Sequence, residues 1–250
     1  MKKYAVLSDI HGNLPALKAV VDDFSQRNLD VVINLGDSLS GPLWPSETIG
    51  FLIEQDWITI RGNHDREVCL TDPNQQGRSD AFAYRSISDS QREWLRSART
   101  SVEVDEDIWA IHGSPKSDSE YLLEEISGGR KSLRPLKNIE RQLTGIAHSI
   151  VLCGHSHIPR CVRITSGQLV INPGSVGLQA YEELGESSYR VENGSPHARY
   201  AILSKDDRGW SVDFRLVEYD WVEATKKAKS EGREDWGIAL LTGFSKTGTG

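Results

Sequence analysis

Two histidines one residue apart, His155 and His157, follow a glycine at the end of the apolar run SIVLC at 149–153. Four other apolar runs close in the same manner. The first ends in Ser8-Asp9-Ile10-His11-Gly12-Asn13, the second in Gly36-Asp37, the third in Gly62-Asn63-His64-Asp65, and IWAIHG in His112-Gly113. Taken singly, each has a plain reading: Asp9 as a helix cap, His112 as a hydrogen-bonded residue at the core rim, Asp65 as a turn residue. Together they supply Asp9, His11, Asp37, Asn63, His112, His155 and His157, an oxygen and nitrogen donor set that suits Mn, Fe, Zn or Co. Seven protein donors exceed what one ion uses while leaving room for substrate. Two ions share them if one carboxylate bridges, and ions about 3.5–4 Å apart hold the attacking and leaving oxygens of a phosphoryl transfer. Gly36, Gly62 and Gly154 stand before or near these donors, where converging loops need close backbone approach.

These clusters require elements that bring their ends together. YAVLSD at 4–9 reads as a buried strand, and Asn13 then caps a helix with Pro15 in its first turn and Leu14, Leu17, Val20, Val21 and Phe24 on one face. VVINLGD at 31–37 is a second strand, PSETIGFLIEQ at 45–55 a helix, and WITIRGNHD at 57–65 a third strand running into a turn. This alternation predicts parallel strands joined by crossovers. DSQREWLRSA at 89–98 is helical, and SVEV and IWAIHG form an antiparallel pair. Residues 119–127 and 134–147 are expected to be helices. SIVLC, CVRIT, QLVINPGS, ARYAILS and WSVDFRLVEY are expected in a second, more antiparallel sheet. Residues 182–197 read as a polar, mobile loop, and a helix starts near Asp220. The expected fold is α/β: two mixed sheets packed face to face as a sandwich flanked by helices, one domain over 1–243 with a flexible tail at 244–250. In such sheets ligands bind at the carboxyl ends of the strands, where all five clusters would gather.

Composition limits the alternatives. With 250 residues a sizeable core can be buried, and 38% apolar with 26% charged residues fits a globular chain. No apolar stretch approaches a membrane span. Lys2 and Lys3 precede only Tyr4 to Leu7 before Ser8 breaks the run, too short for a signal peptide, so a cytoplasmic protein is expected. Cys69, Cys153 and Cys161 form no C-x-x-C pair, which argues against a disulfide framework or thiolate zinc. The net charge of −7 gives no nucleic-acid signal. Ser114 and Ser175 read as turn residues, Arg61 and Arg66 as salt-bridged, Trp44 as packing, and His148 and His197 as surface residues.

The ordered motifs D-x-H, GD, GNHD, a lone His and GHxH resemble the calcineurin-like metallophosphoesterases, and NPGSVG at 172–177 is similar to their bacterial YfcE-like phosphodiesterase branch. The resemblance implies a four-layer fold with two divalent metal ions, Mn ahead of Fe, Zn, Co and Ni. One ion would be held by Asp9, His11 and His157, the other by Asn63, His112 and His155, with Asp37 bridging. His64 would stay off the metals and face the phosphate, with Asp65 orienting it. Hydrolysis would proceed through a hydroxide bridging the metals. The expected partner is a small phosphate-ester substrate, a diester first. A phosphomonoesterase of nucleotidase type and a non-catalytic protein-binding scaffold stand as alternatives. GDSLSGP lacks the Asp and Arg of the GDxxDRG found in protein serine/threonine phosphatases, which disfavours phosphoprotein substrates.

Overall fold

Along the first strand, alternate side chains face opposite layers. In β1 (Lys3–Leu7), Tyr4 and Val6 enter one apolar cluster while Ala5 and Leu7 enter another, the period-two pattern of a strand buried on both faces. The computed structural model describes residues 2–185 and 188–245. After β1, Asn13 caps α1 (Leu14–Ser25) by accepting from the Ala16 N–H. There follow β2 (Val31–Asn34), α2 (Pro45–Ile53), the two-residue β3 (Ile58–Thr59), and helices α3 (Asn63–Leu70), α4 (Arg78–Ser86) and α5 (Asp89–Ser97). Next come β4 (Ser101–Glu103), β5 (Ile108–Ile111), β6 (Glu124–Ser127), β7 (Arg130–Leu133), α6 (Leu136–Gln142), β8 (Ile150–Leu152), β9 (Arg160–Arg163) and β10 (Leu169–Asn172). The chain continues through β11 (Ala180–Glu183), β12 (Tyr189–Glu192), β13 (Ala198–Asp206), β14 (Gly209–Val217), α7 (Trp221–Ser230) and α8 (Glu234–Thr242).

One sheet has the order β14-β13-β1-β2-β3 and another β4-β5-β8-β10-β9. In the first, β1, β2 and β3 are parallel; in the second, β5, β8 and β10 are. The sheets pack through Val6, Ile33, Leu35, Ile108, Ile150, Leu152 and Ile171, all buried. On the far side of the first sheet, α1 seats Leu17, Val20 and Phe24 against Ala5, Leu7 and Tyr200. On the far side of the second, Ile139 of α6 meets Val151 and Val170. The helix pair α7–α8 packs on Leu43 and Leu178, with Trp44 against it as expected. Among the described residues, no helix is long and apolar enough to cross a membrane.

Several expectations need correction. Residues 119–127 are not a helix: β6 and β7 form a hairpin with Ser127 opposite Arg130. Gly128 and Gly129 make its two-residue turn, both at positive φ (59° and 73°), a conformation that glycine adopts without a Cβ clash. The expected helix at 134–147 shortens to α6. The 182–197 stretch contains β12, which pairs with β11 and β7 in a third sheet of order β11-β12-β7-β6. Strands β13 and β14 join the first sheet beside β1 rather than the second. The turn expected after β3 is the first turn of α3. Of the expected tail, Ser245 donates to Glu192 (2.7 and 2.9 Å), while residues 246–250 lie outside the described residues.

Candidate metal centre

The carboxyl ends of the parallel strands of both sheets meet at one edge, and the seven expected donors are all placed there. Asp9 and His11 follow β1, Asp37 follows β2, and Asn63 opens α3 after β3. His112 follows β5, and His155 and His157 follow β8. Two groups of ligand atoms converge: Asp9, His11 and His157, and Asp37, His112 and His155. Within the first, His11 Nε2 lies 3.1 Å from His157 Nε2, and His157 Nε2 lies 3.3 Å from Asp9 Oδ1. Within the second, His112 Nε2 lies 3.1 Å from both Asp37 Oδ2 and Asn63 Oδ1.

Hydrogen bonds decide which atoms are left over. His11, His112 and His157 each donate Nδ1–H to a backbone carbonyl, of Ser40, Leu35 and Leu178 at 2.7, 2.7 and 2.8 Å. This leaves the Nε2 lone pairs facing the site, the orientation of imidazole ligands. Asp9 Oδ2 accepts the His155 N–H and Asp37 Oδ1 the His64 N–H (3.2 and 2.8 Å). The second oxygens, Asp9 Oδ1 and Asp37 Oδ2, are buried without a hydrogen-bond partner, as is His155 Nε2. Buried carboxylate oxygens and imidazole lone pairs aimed at one another are unfavourable unless a cation lies between them. The donor set therefore fits two divalent metals.

The backbone is strained at the same places. Asp9, His11, Asp37, His155 and His157 have φ of 56°, 52°, 54°, 66° and 62°, five of the six non-glycine residues with positive φ among those described. Each such conformation costs on the order of 1 kcal/mol and persists only where the surroundings enforce it. Close backbone approach does the enforcing: a Cβ on Gly62 would lie 2.2 Å from Asp37 Oδ1, and one on Gly154 2.0 Å from Ser8 Oγ.

Burial opposes the charged form of every group here, and the neighbours decide the outcome. Burial, reinforced by His157, pulls His11 down to about 4; burial, with His112, pulls His155 to about 3. Both rings are thus neutral, as ligands must be. For Asp9 burial is outweighed by His157 and His112, which bring it to about 2, and His112 holds Asp37 well below the carboxylate range in the same manner. Before any cation binds, Asp37 overcomes burial at His112 and raises it to about 9, and Asp37, Asp80 and Asp65 together raise His64 to about 10.

His64 faces the cavity beside the candidate metal ligands. Its partner is not the expected one. Asp65 accepts from Ser38 N (2.9 Å) and Gly62 N (3.1 Å), closing the start of α3. Asp80 of α4, absent from the sequence reading, takes His64 Nδ1 at 2.9 Å and leaves Nε2 toward the cavity. Also unforeseen are Tyr121, Tyr181, Tyr189 and Trp236, which line that cavity of about 490 Å³. None of these five stands in a motif, so no local signal marked them. Other residues take ordinary structural roles, though Arg61 donates to the Arg96 carbonyl (3.0 Å) in place of the expected salt bridge. Ser114 and Ser175 serve turns, Arg66 pairs with Asp118, and Cys153 is buried. His148 and His197 are half-buried.

A β-sandwich with buried oxygen and nitrogen donors at the ends of its parallel strands has the build of a metallophosphoesterase, a phosphoric ester hydrolase. The chain belongs to the calcineurin-like phosphoesterase superfamily, whose domain model matches residues 2–192. It is 25% identical over 245 residues to an uncharacterized protein of Methanocaldococcus jannaschii, covering 93% of this chain and 94% of that one. A phosphodiesterase of the same archaeon is 26% identical over 178 residues, covering 69% of this chain and 82% of that one. The crystal structure of a metallophosphoesterase from Sphaerobacter thermophilus has a TM-score of 0.74 at 24% identity, covering 97% of this chain and 99% of that one.

Proposed function

We propose that the chain is a phosphodiesterase acting on small phosphate diesters, with residues 1–243 as a single catalytic domain. Two divalent cations, Mn foremost, would be held by Asp9, His11 and His157 and by Asn63, His112 and His155, with Asp37 shared. The observation that carries this is the set of bare buried atoms Asp9 Oδ1, Asp37 Oδ2 and His155 Nε2. Bound cations would supply the charge that acidifies water and polarises phosphoryl oxygens. The chain's own residues do the rest. His64, oriented by Asp80, donates from Nε2 to a phosphoryl or leaving oxygen. Tyr181, Tyr189, Trp236 and Leu178 narrow the cavity and exclude water.

Diester preference is supported by charge. Among the described residues, those lining the cavity include no lysine or arginine, and Glu183 stands on its wall. A doubly charged monoester gains less there than a singly charged diester. The phosphodiesterase among the relatives supports the same choice. Three free cysteines fit a reducing compartment, the cytoplasm.

The test is hydrolysis of bis-p-nitrophenyl phosphate and p-nitrophenyl phosphate by chelator-stripped protein with Mn(II) restored. The diester should be favoured by at least about tenfold in kcat/KM, a difference of roughly 1.4 kcal/mol in barrier. Asp37→Ala should lose both metal and turnover. Preference for the monoester would favour the nucleotidase alternative, and two bound metals without turnover the scaffold.

A further inference from the structure

Three of the four candidate histidine ligands are fixed by a hydrogen bond from Nδ1 to a backbone carbonyl. His155 has no such bond. Its ring lies instead against Tyr121, centroids 4.4 Å apart and planes at 20°. The Lys131 amine sits 3.5 Å from the same Tyr121 centroid. A ring and an amine cannot share one face at those distances, so Tyr121 is held between His155 and Lys131. Lys131 also donates to the Tyr181 hydroxyl at 2.5 Å, and its amine is 4.9 and 5.0 Å from the Tyr181 and Tyr189 rings. The Tyr121 and Tyr189 hydroxyls are 2.6 Å apart. Tyr121 is thereby pinned on one face and at its hydroxyl.

We propose that Tyr121 and Lys131 are positioning residues for His155, a stacked clamp that replaces the carbonyl anchor of the other three histidines. The role rests on His155 being a metal ligand. An imidazole without a hydrogen-bonded anchor is free to rotate about χ2, and a backbone at φ 66° adds strain that packing must contain. Stacking fixes the ring plane, and the amine on the far face supports the stacked ring through its quadrupole. The hairpin β6–β7 delivers Lys131, which gives the third sheet a task at the metal centre.

The experiment is calorimetric titration of chelator-stripped protein with Mn(II), with bound metal counted by elemental analysis. Wild type should take up two ions. Tyr121→Leu and Lys131→Met should each weaken one binding event about 10- to 100-fold, the range for groups that orient ligands, and leave the other in place. Tyr121→Phe keeps the stacked ring and loses only the hydroxyl contact, so it should weaken that event far less than Tyr121→Leu; Lys131→Arg keeps a charge that persists at any working pH and should bind like wild type. If Tyr121→Leu does not fold, Lys131→Met and its rescue by arginine decide. Two wild-type binding events in the leucine and methionine variants, or equal weakening of both, would overturn the clamp. Failure of wild type itself to bind Mn(II) would instead overturn the metal centre, and the clamp with it.

Discussion

Asp9 and Asp37 each place one oxygen on the backbone N–H of another loop and leave the other bare and buried. The first contact fixes the carboxylate; the second oxygen is left as the candidate donor. His64 shows the same division between holding and acting: Nδ1 is held by Asp80, and Nε2 is left to the cavity. His64→Ala should therefore lower kcat by about 100-fold or more, as loss of a general acid does, with two metals still bound. Asp80→Asn keeps the shape but weakens the hold on the ring, so kcat should fall less, by about tenfold, with KM little changed. A normal kcat in Asp80→Asn would assign that carboxylate to packing. The candidate ligands were legible in the sequence because each follows its own apolar run and is of a donor type. Asp80 was not, because its link to His64 crosses sixteen residues between two helices. Asp65 was misread because an acid in the first turn of α3 binds the backbone, and sequence alone does not separate that from binding a side chain.

At the scale of elements, local patterns announced β1, α1, β2, α2, α5, the antiparallel pair β4–β5, strands β8 to β10 and α7, whereas tertiary pairing settled the third sheet and the place of the last two strands. Residues 119–127 carried Leu122, Leu123 and Ile126 at spacings a helix could use, yet Gly128-Gly129 turns the chain into a hairpin. Strands β13 and β14 were recognised, but the choice of sheet depends on β1 having a free edge, which no local pattern records. That edge gives α1 a polar anchor. Asp23 of α1 accepts from Tyr200 of β13 at 2.6 Å and pairs with Arg27 at 2.8 Å and with Arg215 of β14 at 3.5 Å. Partial burial would raise its pKa, but the bonds from Arg27, Tyr200 and Arg215 prevail and hold it at about 2. A carboxylate depressed on folding contributes stability in full above its unfolded value near 3.9 and loses it as pH falls through the folded one. Asp23→Asn should thus lower urea-unfolding stability at pH 7 by on the order of 1 kcal/mol, since solvent screens part of the pair. The gap to wild type should shrink between about pH 4 and pH 2. A gap that stays constant over that window would mean the loss is one of packing.

At the scale of the whole molecule, each donor group draws on both sheets. Asp9 and His11 leave the first sheet and His157 the second; Asp37 leaves the first, and His112 and His155 the second. Apart from the centre, the layer between the sheets is apolar, and the directional bonds that join them lie at its margins, such as Tyr4 to Asp105 and the Arg61 N–H to the Arg99 carbonyl. Two cations would supply such bonds and remove the repulsion among bare carboxylate oxygens and lone pairs. Binding to the folded state alone stabilises by about 2.7 kcal/mol at a hundredfold excess over Kd, and a chain of this size gains roughly 2–4 °C per kcal/mol. Restoring Mn(II) to stripped protein should therefore raise the unfolding temperature by about 5–10 °C. Asp37→Ala is the control, since it removes a donor from the seam while sparing the apolar layer. Its stripped form should melt below stripped wild type, because His112 and the His64 N–H lose their buried partner, and it should also gain less from Mn(II). An unfolding temperature indifferent to metal in the wild type, or a rise as large in Asp37→Ala, would show that cations do not tie the sheets together.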